Sequence, residues 1–336
     1  MHATIMVSGI VQGVGFRPFI YRMAKRQGLR GFVRNRADAV VEISVEGGKP
    51  QIDAFLQSLT QEKPPLARLD SVQVDYSQTE VGLAEFTIEK SSQERTRSGS
   101  VIPPDIAICD DCLKELKSHT DRRHRYFFIT CTSCGPRYTT IVGVPYDRPN
   151  TTMNQFPMCP KCRAEYTDPL DRRFHAQTIA CSTCGPKVTL LNSSGNPIDG
   201  VNPIREAGRL LSEGETLALK GNGGFHLAAS TLQDDPVERL RRSKERRKKP
   251  FAIMAQSLEA ILAFAEVRSC ERELPESYVR PIVLLHRKEE RLHSIGVRLQ
   301  NNSLNDCRVV KRVKRNIHLC AAKMLQNVLL DQRLHY

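Results

Sequence analysis

The chain opens on an alternating apolar and polar run. Residues 3–11, Ala-Thr-Ile-Met-Val-Ser-Gly-Ile-Val, predict a strand. The period then changes: Phe16, Ile20, Met23 and Ala24 recur at helical spacing, predicting an amphipathic helix to about Gln27, with Gly28 as its stop. Leu29 to Asn35 and Val40 to Glu46 are expected as two strands joined by a short polar turn. Pro50 to Leu59 is expected as a second helix, and Val72 to Tyr76 and Ala84 to Glu89 as the remaining strand material.

The order β-α-β-β-α-β is the ferredoxin-like split arrangement. A polar linker follows over Ser91 to Gly99, and Leu190 to Pro203 forms a second connector around Asn192-Ser193-Ser194-Gly195. A new α/β pattern starts near Val201. It has a helix over Ile204 to Glu213, a strand over Thr216 to Lys220, a glycine-rich turn over Gly221 to Leu227 and a basic helix over Pro236 to Lys249. Pro250 to Met254 reads as a buried strand, Leu258 to Phe264 as a helix and Arg280 to Leu285 as another short strand. The fold class is therefore α+β and multidomain.

Between these two patterned regions the cysteines take over. Cys109/Cys112, Cys131/Cys134, Cys159/Cys162 and Cys181/Cys184 are Cys-x-x-Cys pairs, with eighteen residues between the pairs of each block and an offset of fifty between blocks. Asp121-Arg122-Arg123 recurs as Asp171-Arg172-Arg173, and Cys134-Gly135-Pro136 as Cys184-Gly185-Pro186. One Cys-x-x-Cys knuckle spans an edge of a tetrahedron of thiolates, and a second about twenty residues on closes it. Two zinc ions are expected, structural because four protein sulfurs leave no coordination position open. Pairing within each block is favoured, and pairing swapped between blocks stays open. A disulfide framework is disfavoured because no signal peptide precedes the chain, and four regularly spaced pairs look like ligands rather than one redox site. Cys270, Cys307 and Cys320 have no knuckle spacing.

Length and charge add limits. At 336 residues, two or three domains are expected. No apolar run is long enough to span a membrane, and no targeting segment is seen, so a cytoplasmic protein is expected. A net charge of +13 points to anionic partners. Seven of the nine residues from Arg241 to Lys249 are basic.

The first strand and helix flank Gln12-Gly13-Val14-Gly15-Phe16-Arg17. Two glycines let successive amide N–H groups turn inward, the helix N-terminus adds a positive dipole, and an arginine at that junction can grip phosphate oxygens. With Gly28-Leu29-x-Gly31-x-Val33-Arg34-Asn35 downstream, residues 3 to 90 closely resemble the acylphosphatase family. The resemblance implies that Gln12, Gly13, Val14, Gly15 and Phe16 form the phosphate-binding loop. It also implies that Arg17 binds the phosphate, that Asn35 orients the attacking water, and that the chemistry is hydrolysis of a carboxyl-phosphate anhydride. Ala39 departs from the family, which usually has glycine there.

Lys220-Gly-x-Gly-Gly-Phe-His226-Leu and the later Lys248-Lys249-Pro250-Phe251 resemble the YrdC-like domain. This implies ATP with Mg2+ as substrate, an adenylate made with release of pyrophosphate, and Lys220, His226, Arg247, Lys248 and Lys249 facing the phosphates. The order of parts is similar to that of the HypF family of [NiFe]-hydrogenase-maturation carbamoyltransferases, over about residues 3 to 296. The expected segments are an acylphosphatase-like domain at 1–91, tandem C4 zinc fingers at 105–190, a partial YrdC-like nucleotide-binding domain at 201–296 and a divergent basic tail at 297–336. The resemblance implies carbamoyl phosphate as substrate, carbamoyl-adenylate as product of the third domain, and transfer to the C-terminal cysteine of a HypE-type acceptor by a further domain. After Val297 the pattern departs from the family, and the chain reads as a member cut short before that transferase domain. Cys320 to Leu330 could make a short amphipathic helix. A zinc-dependent nucleic-acid-binding or tRNA-modifying YrdC-like protein is the alternative. Against it, aromatic residues are 6% of the chain and tryptophan is absent, so stacking surfaces are sparse.

Overall fold

A computed structural model describes residues 1–79, 82–92, 104–221, 224–245, 251–255, 257–288 and 295–299. The chain divides into two compact units: Met1–Ile106 with Thr130–Gly185, and Ala107–Ile129 with Pro186–Tyr336. Among the described residues no helix is long and apolar enough to cross a membrane.

The first unit begins with β1 (His2–Ile10), α1 (Phe16–Arg26), β2 (Arg30–Asn35), β3 (Val41–Glu46), α2 (Lys49–Gln61), β4 (Arg68–Ser77) and β5 (Phe86–Ile88). The expected β-α-β-β-α-β order is present, with β5 as a short extra edge. The sheet order is β4-β1-β3-β2-β5. All neighbours are antiparallel except β2 and β5, which run parallel. The alternation in β1 turns Ala3, Ile5 and Val7 onto one fully buried face, where they meet Phe16 and Ile20 of α1 and Phe55 of α2. Burying each such large side chain contributes about 1.5–3 kcal/mol.

The other side of the central strand is also closed. Every residue of β3 is buried, including Glu42, Ser44 and Glu46. Glu42 accepts a forked pair from Arg34, at 3.0 Å to each oxygen. The carboxylate of Glu46 accepts from the backbone N–H groups of Gly82 and Leu83 at 3.0 Å. These partners make burial of the charges tolerable.

The two cysteine blocks fold to one local plan. A short helix follows the first knuckle of each, α3 (Asp110–Lys117) and α4 (Pro160–Thr167). The Asp121 carboxylate accepts from Arg123 N at 2.7 Å, as Asp171 does from Arg173 N at 2.7 Å. Arg125 N donates to the Leu116 carbonyl and His175 N to that of Tyr166, each at 2.9 Å. Arg125 and His175 both adopt left-handed backbone, φ 57° and 55°. The repeat of fifty thus extends from the thiols to individual hydrogen bonds.

The later α/β region contains α5 (Pro203–Ser212), β6 (Leu217–Gly221), β7 (Gly224–Ala228), α6 (Asp234–Ser243), β8 (Ala252–Ala255), α7 (Leu258–Leu262), β9 (Ala265–Glu266), α8 (Ser269–Arg272), β10 (Val283–Arg287) and β11 (Ile295–Leu299). The strands β8, β11, β10 and β9 form one sheet in that order, with β8 and β11 parallel, and β6 and β7 form a separate ribbon. Leu240, Phe251, Ile253, Ile261 and Leu285 are the centre of its core.

Two sequence expectations change here. Residues 224–227, read as part of a glycine-rich turn, belong to β7 and pair antiparallel with β6. The alternation of Phe225, His226 and Leu227 can satisfy backbone groups as a hairpin. The basic helix expected over Pro236 to Lys249 runs from Asp234 to Ser243, and Glu245 is left-handed at φ 51°. Continuing the helix would set Lys244 beside Arg241 three residues back, a like-charge pair that opposes it. The expected helix over Cys320 to Leu330 lies outside the described residues.

Candidate active site and metal centres

The turn between β1 and α1 forms a cup. Gly13 and Gly15 have φ of 72° and 76°, the left-handed region that glycine reaches without steric penalty. Gly15 caps α1, so the helix N-terminus opens onto this turn. Arg17, in the first turn of α1, and Asn35, the last residue of β2, are 8% and 1% exposed. Both side chains reach one atom. Arg17 Nη2 donates to the Tyr146 carbonyl at 3.2 Å and Asn35 Nδ2 to the same carbonyl at 3.3 Å. Asn35 Oδ1 is buried with no hydrogen-bond partner, an acceptor available to a small donor such as water.

The cup's walls hold about 30 Å³ and include Gly13, Arg17, Asn35, Thr132, Tyr146 and His175. The loop residues Gln12, Gly15 and Phe16 also line it, whereas Val14 is packed in the hydrophobic core. Gln12 is a tie. Its Nε2 donates to the carbonyls of Arg36 and Val40, and its Oε1 accepts from Tyr146 N at 2.9 Å.

Sequence reasoning singled out Arg17 and Asn35 but missed the opposite wall. Arg17 Nη2 also donates to Asp147 Oδ1 at 2.6 Å, and the Ser91 hydroxyl donates to Asp147 Oδ2. Arg137, 2% exposed, donates from its guanidinium to five backbone carbonyls: Gly13, Cys131, Thr132, Cys134 and Pro136. It thereby ties the Gly13 carbonyl to the knuckle that holds Cys131 and Cys134. His175 packs on Tyr166 and Phe174. Burial, with the nearby Arg17 charge, lowers the His175 imidazole to about 4, so it is neutral at pH 7. An arginine directly after Cys-Gly-Pro and an Asp-Arg pair ten residues on were the available signals.

The eight knuckle thiols form two groups, Cys109, Cys112, Cys131 and Cys134, and Cys159, Cys162, Cys181 and Cys184. Within each group the sulfur atoms all lie within 4.8 Å of one another, so the blocks are not swapped. The second group has sulfur separations of 3.5 Å (Cys162–Cys184) and 3.8 Å (Cys159–Cys181 and Cys181–Cys184). Four ligands at a Zn–S distance of ~2.3 Å in a tetrahedron lie about 3.8 Å apart, so the donor set fits zinc. A disulfide needs ~2.05 Å, and all eight are free thiols. Burial raises the Cys181 thiol, but hydrogen bonds from the Thr183 and Cys184 backbone and from neighbouring thiols outweigh it, bringing Cys181 down to about 6, as a thiolate ligand requires.

Lys220 and His226 belong to the β6–β7 ribbon. Lys220 is opposite Phe225 and His226 opposite Leu219, so the pleat sends these two side chains to opposite faces. Lys220 Nζ lies 5.0 Å from the centre of the Phe225 ring. Arg247, Lys248 and Lys249 lie outside the described residues.

The Acylphosphatase family matches residues 3–88, the HypF finger family matches 108–141 and 158–191, and the Telomere recombination family (Sua5/yciO/yrdC) matches 209–320. The chain is 48% identical over 284 residues to the carbamoyltransferase HypF2 of Cupriavidus necator, covering 84% of this chain and 35% of that protein. It is 48% identical over 290 residues to a probable carbamoyltransferase HypF of Methanocaldococcus jannaschii, covering 86% and 38%. A crystal structure of full-length HypF in a phosphate- and nucleotide-bound form superposes with a TM-score of 0.84 at 40% identity, covering 90% of this chain and 40% of that one. The chain therefore spans little more than a third of the length of the curated relatives it matches.

Proposed function

The chain belongs to the HypF family, and on that footing we propose that its amino-terminal cup hydrolyses carbamoyl phosphate. The observation that carries this reading is the convergence of Arg17 and Asn35 on a single point, with Asn35 Oδ1 left as an unpartnered buried acceptor. Arg17 and the amides of the Gln12–Phe16 loop take the phosphoryl oxygens, with the N-terminus of α1 behind them. Asn35 Oδ1 accepts a hydrogen bond from water and aims its oxygen at phosphorus. The new P–O bond forms as the bond to the carbamoyl oxygen breaks. Carbamate leaves with the electron pair, and the water proton ends on the phosphate product. Such a transfer needs positioning and charge stabilisation more than a covalent nucleophile.

In the same reading, the YrdC-like region joins carbamate to AMP from ATP with Mg2+, releasing pyrophosphate. Lys220, with Arg247, Lys248 and Lys249, supplies cations for the leaving group, and His226, on the other face of the ribbon, contacts the nucleotide apart from them. The carbamoyl group is destined for the C-terminal cysteine of a HypE-type acceptor. The two four-thiol groups hold structural zinc, whose role is to fix the finger loops.

Phosphate release from carbamoyl phosphate tests the first step. Arg17→Ala is expected to lower kcat by ~10²–10³, the usual effect of removing one preorganised donor to a developing charge. Equal rates for the parent chain and this variant would sink the reading.

A further inference from the structure

Arg17 already holds an anion that belongs to the protein. Both N–H groups of its Nη2 are used within the chain, one on Asp147 Oδ1 at 2.6 Å and one on the Tyr146 carbonyl at 3.2 Å. The ion pair is largely buried, with side-chain exposures of 9% for Arg17 and 21% for Asp147. The second carboxylate oxygen is held by Ser91, which fixes the carboxylate beside Arg17.

We propose that Asp147 is a built-in competitor for the phosphate position, and that it sets how tightly the cup holds an acyl phosphate. The inference rests on the phosphate-binding reading of Arg17 given above. Binding is then an exchange. The incoming phosphoryl oxygens take the Nη2 donors, and the carboxylate swings off the guanidinium while Ser91 retains its other oxygen. Two like charges held close at low effective dielectric repel strongly, so carboxylate and phosphate do not share that edge. The arrangement weakens phosphate binding, favouring release of the product. It also keeps a buried guanidinium paired between turnovers, which avoids an isolated buried charge.

Calorimetric titration of the zinc-loaded full chain with inorganic phosphate tests this without relying on turnover. Asp147→Asn, close in shape and neutral, is expected to tighten phosphate binding by tenfold or more. Ser91→Ala, which frees one side of the carboxylate, is expected to tighten it less. Arg17→Ala is expected to abolish it. Unchanged or weaker binding in Asp147→Asn would overturn the proposal and make Asp147 a residue that merely props Arg17 in place. Zinc content and the thermal transition of each variant identify a folding failure, and Ser91→Ala, which alters no charge, decides the matter if Asp147→Asn does not fold. Tight phosphate binding without hydrolysis of carbamoyl phosphate would count against the hydrolytic reading alone. Loss of the Asp147 effect with hydrolysis intact would count against this inference alone.

Discussion

At the scale of single residues, the cup is governed by a few constrained side chains. Ala39 lies in the turn between β2 and β3 with φ 62°, a conformation that crowds the Cβ of an L-residue. Placing alanine at such a position costs more than its entropic advantage over glycine. Ala39→Gly is therefore expected to raise stability by about 1 kcal/mol, read as an upward shift of the urea midpoint with phosphate release unchanged. His175 gives a second prediction. Its folded value is about 4, below the unfolded ~6.5, so protons bind the unfolded chain preferentially between those limits. The neutral imidazole is compatible with the fold above pH 6.5, and stability falls as pH drops from there towards 4. The loss attributable to this group reaches at most ~3 kcal/mol. His175→Gln should show a flatter stability profile across that window than the parent. Parallel profiles would contradict the assignment.

At the scale of elements, the second knuckle of the first finger and the phosphate loop are coupled through one arginine. Arg137 follows Cys131 and Cys134 and grips the carbonyls of both, and it also grips that of Gly13. Loosening the knuckle therefore loosens the cup. Removing zinc with a strong chelator under reducing conditions is expected to lower the thermal transition sharply, since structural zinc contributes ~10 kcal/mol or more in small fingers at neutral pH. Phosphate release from carbamoyl phosphate should fall with it, and both should return when zinc is restored. Hydrolysis that survives complete removal of zinc would show the loop to be independent of the finger. The repeat supports the same view of what the fingers do. Asp121 and Asp171, and Arg125 and His175, occupy matching turns, yet His175 faces the cup whereas Arg125 is not among its lining residues. Duplication supplied the frame, and the copies then took different neighbours.

At the scale of the whole molecule, the proposed scheme links hydrolysis in one region to adenylation in another. Carbamoyl-phosphate-dependent exchange between ATP and pyrophosphate should be seen with the parent chain and lost in Arg17→Ala, because the variant makes no carbamate. Exchange that persists in Arg17→Ala would uncouple the two steps. Lys220 and His226 occupy opposite faces of the β6–β7 ribbon, so their substitutions should differ in effect on this exchange instead of acting as one cluster.

Much of this was legible in the order of residues. Local periodicity predicted β1 to β4 and both helices of the amino-terminal sheet, because each buries one face against a common core and the apolar spacing records that face. The zinc groups were legible because a knuckle is short and its two ligands are neighbours in sequence, and the within-block pairing matches the favoured reading. The glycine-rich loop and Arg17 were visible for the same local reason. The far wall was not. Tyr146, Asp147 and Arg137 reach the cup across more than a hundred residues, through hydrogen bonds to backbone carbonyls and to Arg17 that leave no periodic trace. The hairpin at β7 was missed because glycines that permit a phosphate loop also permit a tight reversal, and cross-strand pairing decides between them. Chemistry carried by adjacent residues is thus written in the chain itself, whereas enclosure of the cup and its internal anion arise only when distant segments compete for the same buried donors.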